Sequence, residues 1–347
     1  MRADVELDGS PVASKRRRPW TRIAAIAVAA VLAVLLIGPF LIPVRPVPGT
    51  VDPQELAYPD SRFVDVDGIT VHYTDYGSRD ATCAIVLLHG FGANTASWAR
   101  VAPLLAEDCR VVAFDRPGFG LTERPPRDEW QNGDPYSTDA HADQTIALMD
   151  ALGIERATLV GHSAGASVAV NAANRHPGRV TALVLEDPAV DGGGPFGWLG
   201  PVLRTPQLRR LGPLLMRRLA RPTANRLLSQ AHYDRSVVTT ALVDGYFRPF
   251  EAKDWDRGLW EFVIAPRSSS PAAALGAVKV PTLVTAGRQD RIVPFEEAER
   301  VSREIPEATL IGYDRTGHVP HEERPLLFAR DVVAFLRRAA APASDEQ

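Results

Sequence analysis

The chain has 347 residues, of which 45% are hydrophobic and 23% charged, with a formal net charge of −3. This slightly acidic balance excludes a strongly basic protein, so we expect no nucleic-acid partner. The two cysteines show no metal-ligand spacing with the eight histidines, so the sequence predicts no metal site. Repeats and low-complexity tracts do not stand out.

The first element along the chain is an apolar segment at residues 23–42. These twenty residues carry no charge and, as a helix, span about 30 Å, the thickness of a bilayer core. Basic residues 15–18 precede the segment, whereas only Arg45 lies close behind it. The positive-inside rule therefore predicts a single-pass cell-membrane protein with residues 1–22 in the cytoplasm and the remainder outside.

A cleaved signal peptide is the alternative interpretation of this segment, and it would make the protein secreted. The segment ends in Gly38-Pro39-Phe40, a poor cleavage site, which favours a retained anchor. Residues 43–60 contain five prolines and predict an extended linker that holds the next domain off the membrane.

Beyond the linker, the pattern changes to that of a folded domain. Segments 62–66 and 70–74 flank Asp67-Gly68, which predicts a β-hairpin in which His72 is an ordinary strand residue. Strand and helix patterns then alternate, with helices expected at 139–152 and 325–339. Such alternation is typical of a mostly parallel sheet with helices on both faces.

One serine in this alternating region lies in a distinctive turn. The sequence Gly161-His162-Ser163-Ala164-Gly165 follows the apolar strand 157–160 and precedes a helix-compatible run at 166–175. A serine between a strand and a helix is held on a tight turn with its hydroxyl exposed. Glycine on either side allows close approach of the backbones. Ser163 is therefore the candidate nucleophile.

A serine nucleophile needs a base, and the base needs an acid to orient it. Asp290 and His318 each follow a predicted strand, and the carboxyl ends of parallel strands form the ligand-binding edge of such sheets. We assign His318 as the base and Asp290 as the acid. Asp187 is the alternative acid, and His321 is the alternative base unless it caps the last helix or is solvated.

These motifs together resemble the α/β-hydrolase superfamily, and in particular its cap-bearing branch. The resemblance extends over roughly residues 61–340 and includes His89-Gly90-Phe91-Gly92 after a strand. It implies that the backbone amides of Phe91 and Ala164 form the oxyanion hole. It also implies a structural role for the turn 115–120 and a core position for Trp98.

The resemblance gives an expected activity. Related dehalogenases and epoxide hydrolases use an aspartate nucleophile to attack alkyl carbon, whereas Ser163 would attack acyl carbon. We therefore expect a serine hydrolase that cleaves a small-molecule or lipid ester with an apolar acyl or alcohol group and needs no cofactor. Three alternatives stay open: carbon–carbon hydrolysis of a diketone-type substrate, perhydrolase-type chemistry at the same site, and a non-catalytic binding protein with this fold.

The same resemblance implies a helical cap at residues 188–280, inserted after the sixth strand. Glycines at 192–194 predict a hinge. Seven arginines among the leucines of 204–226 indicate a basic amphipathic helix, which either rests on anionic lipid or is solvated. Seven aromatic residues from 233 to 262 either line an acyl pocket or pack the cap. The expected core comprises residues 61–187 and 281–347.

Cys83 and Cys109 lie at matching positions before adjacent strands of the expected fold. Each stands six residues before a strand-end residue, His89 or Asp115. Neighbouring strands lie about 4.8 Å apart, a separation that a disulfide tolerates. A disulfide, stable outside the cytoplasm, and two buried thiols therefore remain equally open.

Overall fold

The computed structural model describes residues 19–127, 130, 133–190, 199–266 and 272–341. The basic residues 15–18 and the predicted hinge at 191–195 lie outside these ranges. The chain divides into two compact units, Met1–Pro43 and Val44–Gln347, which are described separately.

The first unit contains helix α1, Pro19–Leu41. Its stretch Arg22–Leu41 has a mean hydropathy of 2.7, and none of its residues is buried in the structure. The helix is long and apolar enough to cross a membrane, by length and composition alone; a signal sequence shares both properties.

The second unit is built on one eight-stranded sheet in the order β1-β2-β4-β3-β5-β6-β7-β8. Its strands β1 to β8 are Arg62–Val66, Ile69–Tyr76, Ala84–Leu88, Arg110–Phe114, Ala157–His162, Val180–Glu186, Thr282–Gly287 and Thr309–Tyr313. Strand β2 pairs antiparallel with β1 and β4, and all other pairs are parallel. The carboxyl ends of β3 and β5 to β8 therefore meet at one edge.

The β1–β2 turn explains why the antiparallel edge forms. Asp67 and Gly68 both adopt positive φ, 52° and 84°, as a two-residue hairpin turn of the type I′ class requires. The predicted hairpin is thus present, with Val66 paired to Ile69.

Helices cover both faces of the sheet and enclose two apolar cores. The core helices are α2 Ala102–Leu105, α3 Thr138–Ala151, α4 Ala164–Arg175, α9 Phe295–Glu304, α10 Pro320–Glu323 and α11 Pro325–Ala340. Apolar side chains of α3, α4 and α9 form one core with the sheet. Those of α2 and α11 form the other. Fold class and helix placement agree with the sequence prediction.

The cap follows β6 and contains α5 Gly200–Leu203, α6 Pro206–Ala231, α7 Thr240–Phe247 and α8 Trp255–Ile264. Its small core joins Met216 and Ala220 of α6 to Trp255, Trp260 and Ile264. Helices α6 and α8 can approach closely because Gly212 has no Cβ. A Cβ at this position would clash with the Trp260 ring.

Part of the segment predicted to be an extended linker is hydrogen-bonded to the cap. The Val51 N–H donates to Glu251 O at 3.0 Å, and the Lys253 N–H donates to Val51 O at 2.7 Å. Arg217 Nη2 also donates to Arg45 O at 2.7 Å. The composition of the segment could not predict these contacts. They are mostly backbone hydrogen bonds, which an extended chain of any sequence can form.

Cys83 and Cys109 form a disulfide that precedes β3 and β4. Their Cα atoms lie 4.9 Å apart because Ala84 and Arg110, the next residues, are register partners in the parallel pair. The bond closes a loop with a sequence separation of 26 residues, and such closure restricts the unfolded chain.

Removing the disulfide should lower the free energy of unfolding by about 3.5 kcal/mol, the loop-closure contribution for this separation. The test is urea unfolding of the full-length chain in neutral detergent, as wild type and as the Cys83→Ser, Cys109→Ser variant. A reductant should destabilise the wild type and leave the variant unchanged. Two titratable thiols in the unreduced wild type would contradict the disulfide.

Candidate active site

Ser163 occupies the turn between β5 and α4 in a conformation that L-residues rarely adopt, with φ 52° and ψ −118°. The turn can be this tight because its two glycines have no Cβ. A Cβ at Gly165 would clash with Leu88 O, and one at Gly161 would lie 2.7 Å from Ala166 Cα. The Ser163 N–H donates to Glu186 O at 2.8 Å. These contacts hold the serine at the apex of the strand-to-helix turn.

Asp290 and His318 lie after β7 and β8 and contact each other directly. His318 Nδ1 is 2.6 Å from Asp290 Oδ2, and the Asp290 side chain is fully buried. The other carboxylate oxygen accepts the N–H groups of Ile292 and Val293 at 2.7 and 3.1 Å. Because a carboxylate accepts, the imidazole proton is on Nδ1 and Nε2 is left as an acceptor.

The alternative acid, Asp187, lies against the same pair. Ligand atoms of Asp187, Asp290 and His318 all fall within 4.8 Å of one another. Asp187 Oδ1 accepts the Gly287 N–H at 3.0 Å, so this carboxyl group supports the loop after β7. The 2.6 Å distance between His318 Nδ1 and Asp290 Oδ2 is that of a charge-assisted hydrogen bond. A metal ion bound by all three groups would take the place of this hydrogen bond.

The pKa of Asp187 is raised well above the ordinary value for aspartic acid. Burial is the largest cause, and the negative charges of Asp290 and Glu186 act in the same direction. The neutral form of Asp187 is therefore favoured beside the charged form of Asp290, which contacts the imidazole.

The other histidine considered as a base, His321, is completely buried. Its Nδ1 lies 2.8 Å from Glu186 Oε2, and its ring packs on Trp98 with a centroid distance of 4.2 Å. Of the alternatives kept open for His321, the solvated one is excluded, because helix α10 places this side chain in the core. The predicted core position of Trp98 is confirmed.

The two amides predicted to bind an oxyanion lie near Ser163. Phe91 lines the same cavity as Ser163, and Ala164 is the first residue of α4. Neither N–H donates to another group in the described part of the chain. Two free donors beside a serine hydroxyl are what a developing alkoxide requires.

The turn 115–120 supports the loop that carries Phe91. Buried Asp115 accepts the Thr95 and Leu121 N–H groups, each at 2.7 Å, and lies 2.7 Å from His72 Nδ1. Although burial raises the pKa of Asp115, the His72 contact and these hydrogen bonds lower it overall. A Cβ at Gly120 would clash with the Asp115 carboxylate. His72 is thus a buried partner rather than an ordinary strand residue.

Sequence reasoning missed a second buried polar network, which joins the cap to the core. In the cap, His232 Nε2 is 2.8 Å from Glu322 Oε2, and the Tyr246 hydroxyl donates to Glu322 Oε1 at 2.6 Å. In the core, His162 Nε2 donates to His318 O at 2.8 Å. The sequence signal was only the density of ionisable residues near His318, which does not distinguish buried groups from solvated ones.

The catalytic candidates open into an apolar cavity of about 290 Å³ between core and cap. Ser163, His162 and His318 are part of its lining. Most other lining side chains are aliphatic or aromatic: Phe91, Ala93, Met216, Leu219, Ala220, Ala224, Leu227, Leu228, Ala231, Tyr246, Phe250, Leu259, Val263, Ile292 and Val319. Among the described residues that line it, none is Lys, Arg, Asp or Glu. Ser163 Oγ forms no hydrogen bond to another described residue.

Comparison with known proteins agrees with this architecture. A sequence profile of the alpha/beta hydrolase fold matches residues 84–325. The 2-hydroxy-6-oxo-6-phenylhexa-2,4-dienoate hydrolase of Comamonas testosteroni is 31% identical over 286 residues, which are 79% of this chain and 93% of that protein. The chain therefore belongs to the α/β-hydrolase family and is a hydrolase.

Solved structures extend the comparison to enzymes with different substrates. A meta-cleavage product hydrolase of Pseudomonas fluorescens is 28% identical, with a TM-score of 0.60 and coverage of 80% of this chain and 98% of that one. A membrane phospholipase A is 25% identical, with a TM-score of 0.65 and coverage of 93% and 99%. The family is thus clear, whereas the names of these two neighbours indicate different substrates.

Replacing Asp187 by Asn should change how stability depends on pH. A raised carboxyl pKa means that the native state binds the proton more tightly than the unfolded chain. Its stabilising effect is therefore complete below the ordinary aspartate pKa and is lost as pH rises through the raised value. The variant keeps an acceptor for Gly287 and cannot titrate, so its free energy of unfolding relative to wild type should increase from pH 5 to pH 8.

Urea unfolding of both full-length chains at several pH values measures this difference. Asp314→Asn is the matched control, because Asp314 is exposed and pairs with Arg288 outside the cavity. Identical pH slopes for wild type and Asp187→Asn would show that Asp187 is not held neutral in the native protein.

Proposed function

We propose that this hydrolase is a serine esterase that cleaves a neutral carboxylic ester with an apolar acyl or alcohol group. The observation that carries the proposal is the apolar cavity, which Ser163 and His318 line together and whose described lining contains no Lys, Arg, Asp or Glu. A neutral, apolar substrate fills such a cavity without leaving a buried charge unpaired.

In the proposed reaction, His318 Nε2 takes the proton of the Ser163 hydroxyl as Oγ attacks the ester carbonyl carbon. The amides of Phe91 and Ala164 bind the oxyanion, and Asp290 stabilises the imidazolium. Collapse of the tetrahedral intermediate breaks the ester C–O bond, and His318 returns the proton to the leaving alcohol. Water, deprotonated by His318, then hydrolyses the acyl-enzyme to the acid and free Ser163.

Carbon–carbon hydrolysis is the second candidate, because the 31% identical relative is a dienoate hydrolase. A dienoate carries a carboxylate, which favours a cationic partner when it is buried. The described lining of the cavity offers no Lys or Arg, which favours the ester. The similarity to a membrane phospholipase A is consistent with a lipid ester.

We also propose that α1 anchors the enzyme in the cell membrane, with the N-terminus in the cytoplasm and the catalytic unit outside. Three features support this topology: the apolar stretch Arg22–Leu41, the basic residues 15–18 before it, and the Cys83–Cys109 disulfide. Cleavage after the apolar segment, which would release the enzyme, is the competing outcome.

The activity prediction uses the full-length chain in neutral detergent and p-nitrophenyl esters from acetate to palmitate. Wild type should hydrolyse the series and react with a fluorophosphonate label at Ser163. Ser163→Ala should abolish labelling and lower kcat by at least about 10³-fold. Asp290→Asn should lower kcat by about 10⁴-fold if the acid sets the histidine tautomer. Ser229→Ala, at an exposed serine that bonds only Arg226 O, is the control.

The outcomes separate the candidates. Labelling of Ser163 without ester turnover, together with cleavage of a dienoic diketone, would replace the esterase proposal with carbon–carbon hydrolysis. Absence of labelling in a folded wild-type protein would instead favour a non-catalytic binding protein. Retention of activity in Asp290→Asn but not in Asp187→Asn would move the acid to Asp187.

The topology prediction concerns the full-length chain expressed in bacteria. The protein should stay in the membrane fraction after alkaline carbonate extraction. Protease added to the cells should digest the catalytic unit once the outer membrane or cell wall of the host is made permeable. Replacing residues 15–18 with glutamate should reduce the fraction of the protein that external protease digests, because the positive charges set the orientation of the helix in the membrane. Recovery of soluble protein that lacks residues 1–42 would show signal cleavage instead.

A further inference from the structure

A second cavity, of about 520 Å³, lies apart from the apolar one and is lined by arginines. Its lining consists of Tyr233, Asp234, Arg235, Arg291, Arg315 and Arg324. We call it the arginine cavity. All six lining residues are exposed, so four arginines surround an open concavity at the surface, beside a single carboxylate.

The arginines come together only through the fold, because they belong to four separate segments. Arg235 begins a short 3-10 turn of the cap. Arg291 follows β7, Arg315 follows β8, and Arg324 lies between α10 and α11. Arg315 has a positive φ of 52°, and Arg324 Nη2 donates to its carbonyl at 3.3 Å. The cavity thus joins the cap to the core.

The positive charge of the four arginines in the arginine cavity exceeds the charge of its single carboxylate, Asp234. None of its four guanidinium groups forms an ion pair in that part of the chain, whereas neighbouring Arg288 Nε is 3.2 Å from Asp314 Oδ1. Asp234 Oδ1 accepts the Ser236 N–H at 2.9 Å. The pKa of Asp234 is lowered, first by the Ser236 hydrogen bonds and further by Arg324 and Arg315.

The segment that carries His318 is hydrogen-bonded to residues next to both linings. The His318 N–H donates to Ala231 O at 2.6 Å, and Glu323 accepts the N–H groups of Gly317 and Asp234 at 2.6 and 2.8 Å. The cavities share no lining residue, although Ala231 and Ile292 line one and their neighbours Tyr233 and Arg291 line the other.

We propose that the arginine cavity is a binding site for a phosphate group, which bridges Arg235 of the cap to Arg291, Arg315 and Arg324 of the core. Guanidinium groups bind phosphate through paired, charge-assisted hydrogen bonds. A phosphate offers at least one more acceptor oxygen than a carboxylate, which suits donors that converge from four segments. The bound anion removes the repulsion between the arginines and holds the cap against the His318 loop.

Thermal unfolding of the full-length chain in neutral detergent tests this site. Inorganic phosphate should raise the Tm saturably above that in sodium chloride of equal ionic strength. Arg315→Gln with Arg324→Gln should raise the half-saturating phosphate concentration at least about tenfold, as expected for a lost charge-assisted hydrogen bond. The exposed cap arginines Arg218 and Arg226, changed to Gln together, are the charge-matched control.

Two further arms complete the test. If the double variant does not fold, Arg235→Gln replaces it as the test variant. This change lies on an exposed turn and should weaken the phosphate response. Dihexanoyl phosphatidic acid below its micelle concentration distinguishes the sources: a response at least about tenfold tighter than that of phosphate identifies a lipid headgroup, and an equal response identifies a free phosphate. In both cases the cavity variants should lose the response.

The proposal is overturned if phosphate and chloride give equal Tm values at all concentrations. It is also overturned if the cavity variants respond as wild type does, or if the control variant loses the response equally, since either result makes the effect one of general surface charge. The assay reads binding rather than turnover. Ser163→Ala should therefore show the wild-type phosphate response even if the esterase proposal fails.

Discussion

The carboxyl end of β6 is the point on which the geometry of the site depends. The Glu186 carbonyl accepts the Ser163 N–H at 2.8 Å, and its buried carboxylate accepts the His321 N–H at 2.8 Å. The next residue, Asp187, accepts the Gly287 N–H through Oδ1 at 3.0 Å. One strand end therefore restrains the turn that carries Ser163 and the loops that carry Asp290 and His318. A 1 Å displacement of such groups is enough to impair catalysis.

The cap is held on this framework by polar contacts as well as by apolar packing. His232 and Tyr246 reach Glu322 from the cap, and the His318 N–H returns a hydrogen bond to Ala231 O. Removing one partner of a buried charged pair leaves the other unpaired, so these contacts define one cap position closely. Because Ala231 also lines the apolar cavity, the cap position and the shape of that cavity are coupled.

The two cavities of the second unit differ in the kind of ligand that their side chains favour. The apolar cavity suits an uncharged chain, whereas the arginine cavity suits an anion. Residues 44–58 pack along the cap through Val51 and Arg45, so the chain that follows α1 belongs to the catalytic unit. The proposed phosphate site and the proposed anchor are independent, since one depends on side chains brought together by folding and the other on local composition.

Local signals in the sequence determined the strand-to-helix turn at Ser163, the hairpin at Asp67-Gly68, the apolar segment at 23–42 and the order of strands and helices. Each depends on residues adjacent in the chain, so backbone sterics and periodicity suffice. Only the tertiary structure decided that Asp290 contacts His318, that Asp187 lies beside them, that Cys83 meets Cys109, and that His321 is buried. It also brought together the four arginines. These outcomes depend on strand register and loop geometry, which join residues far apart in the sequence and are set by the packing of the whole sheet.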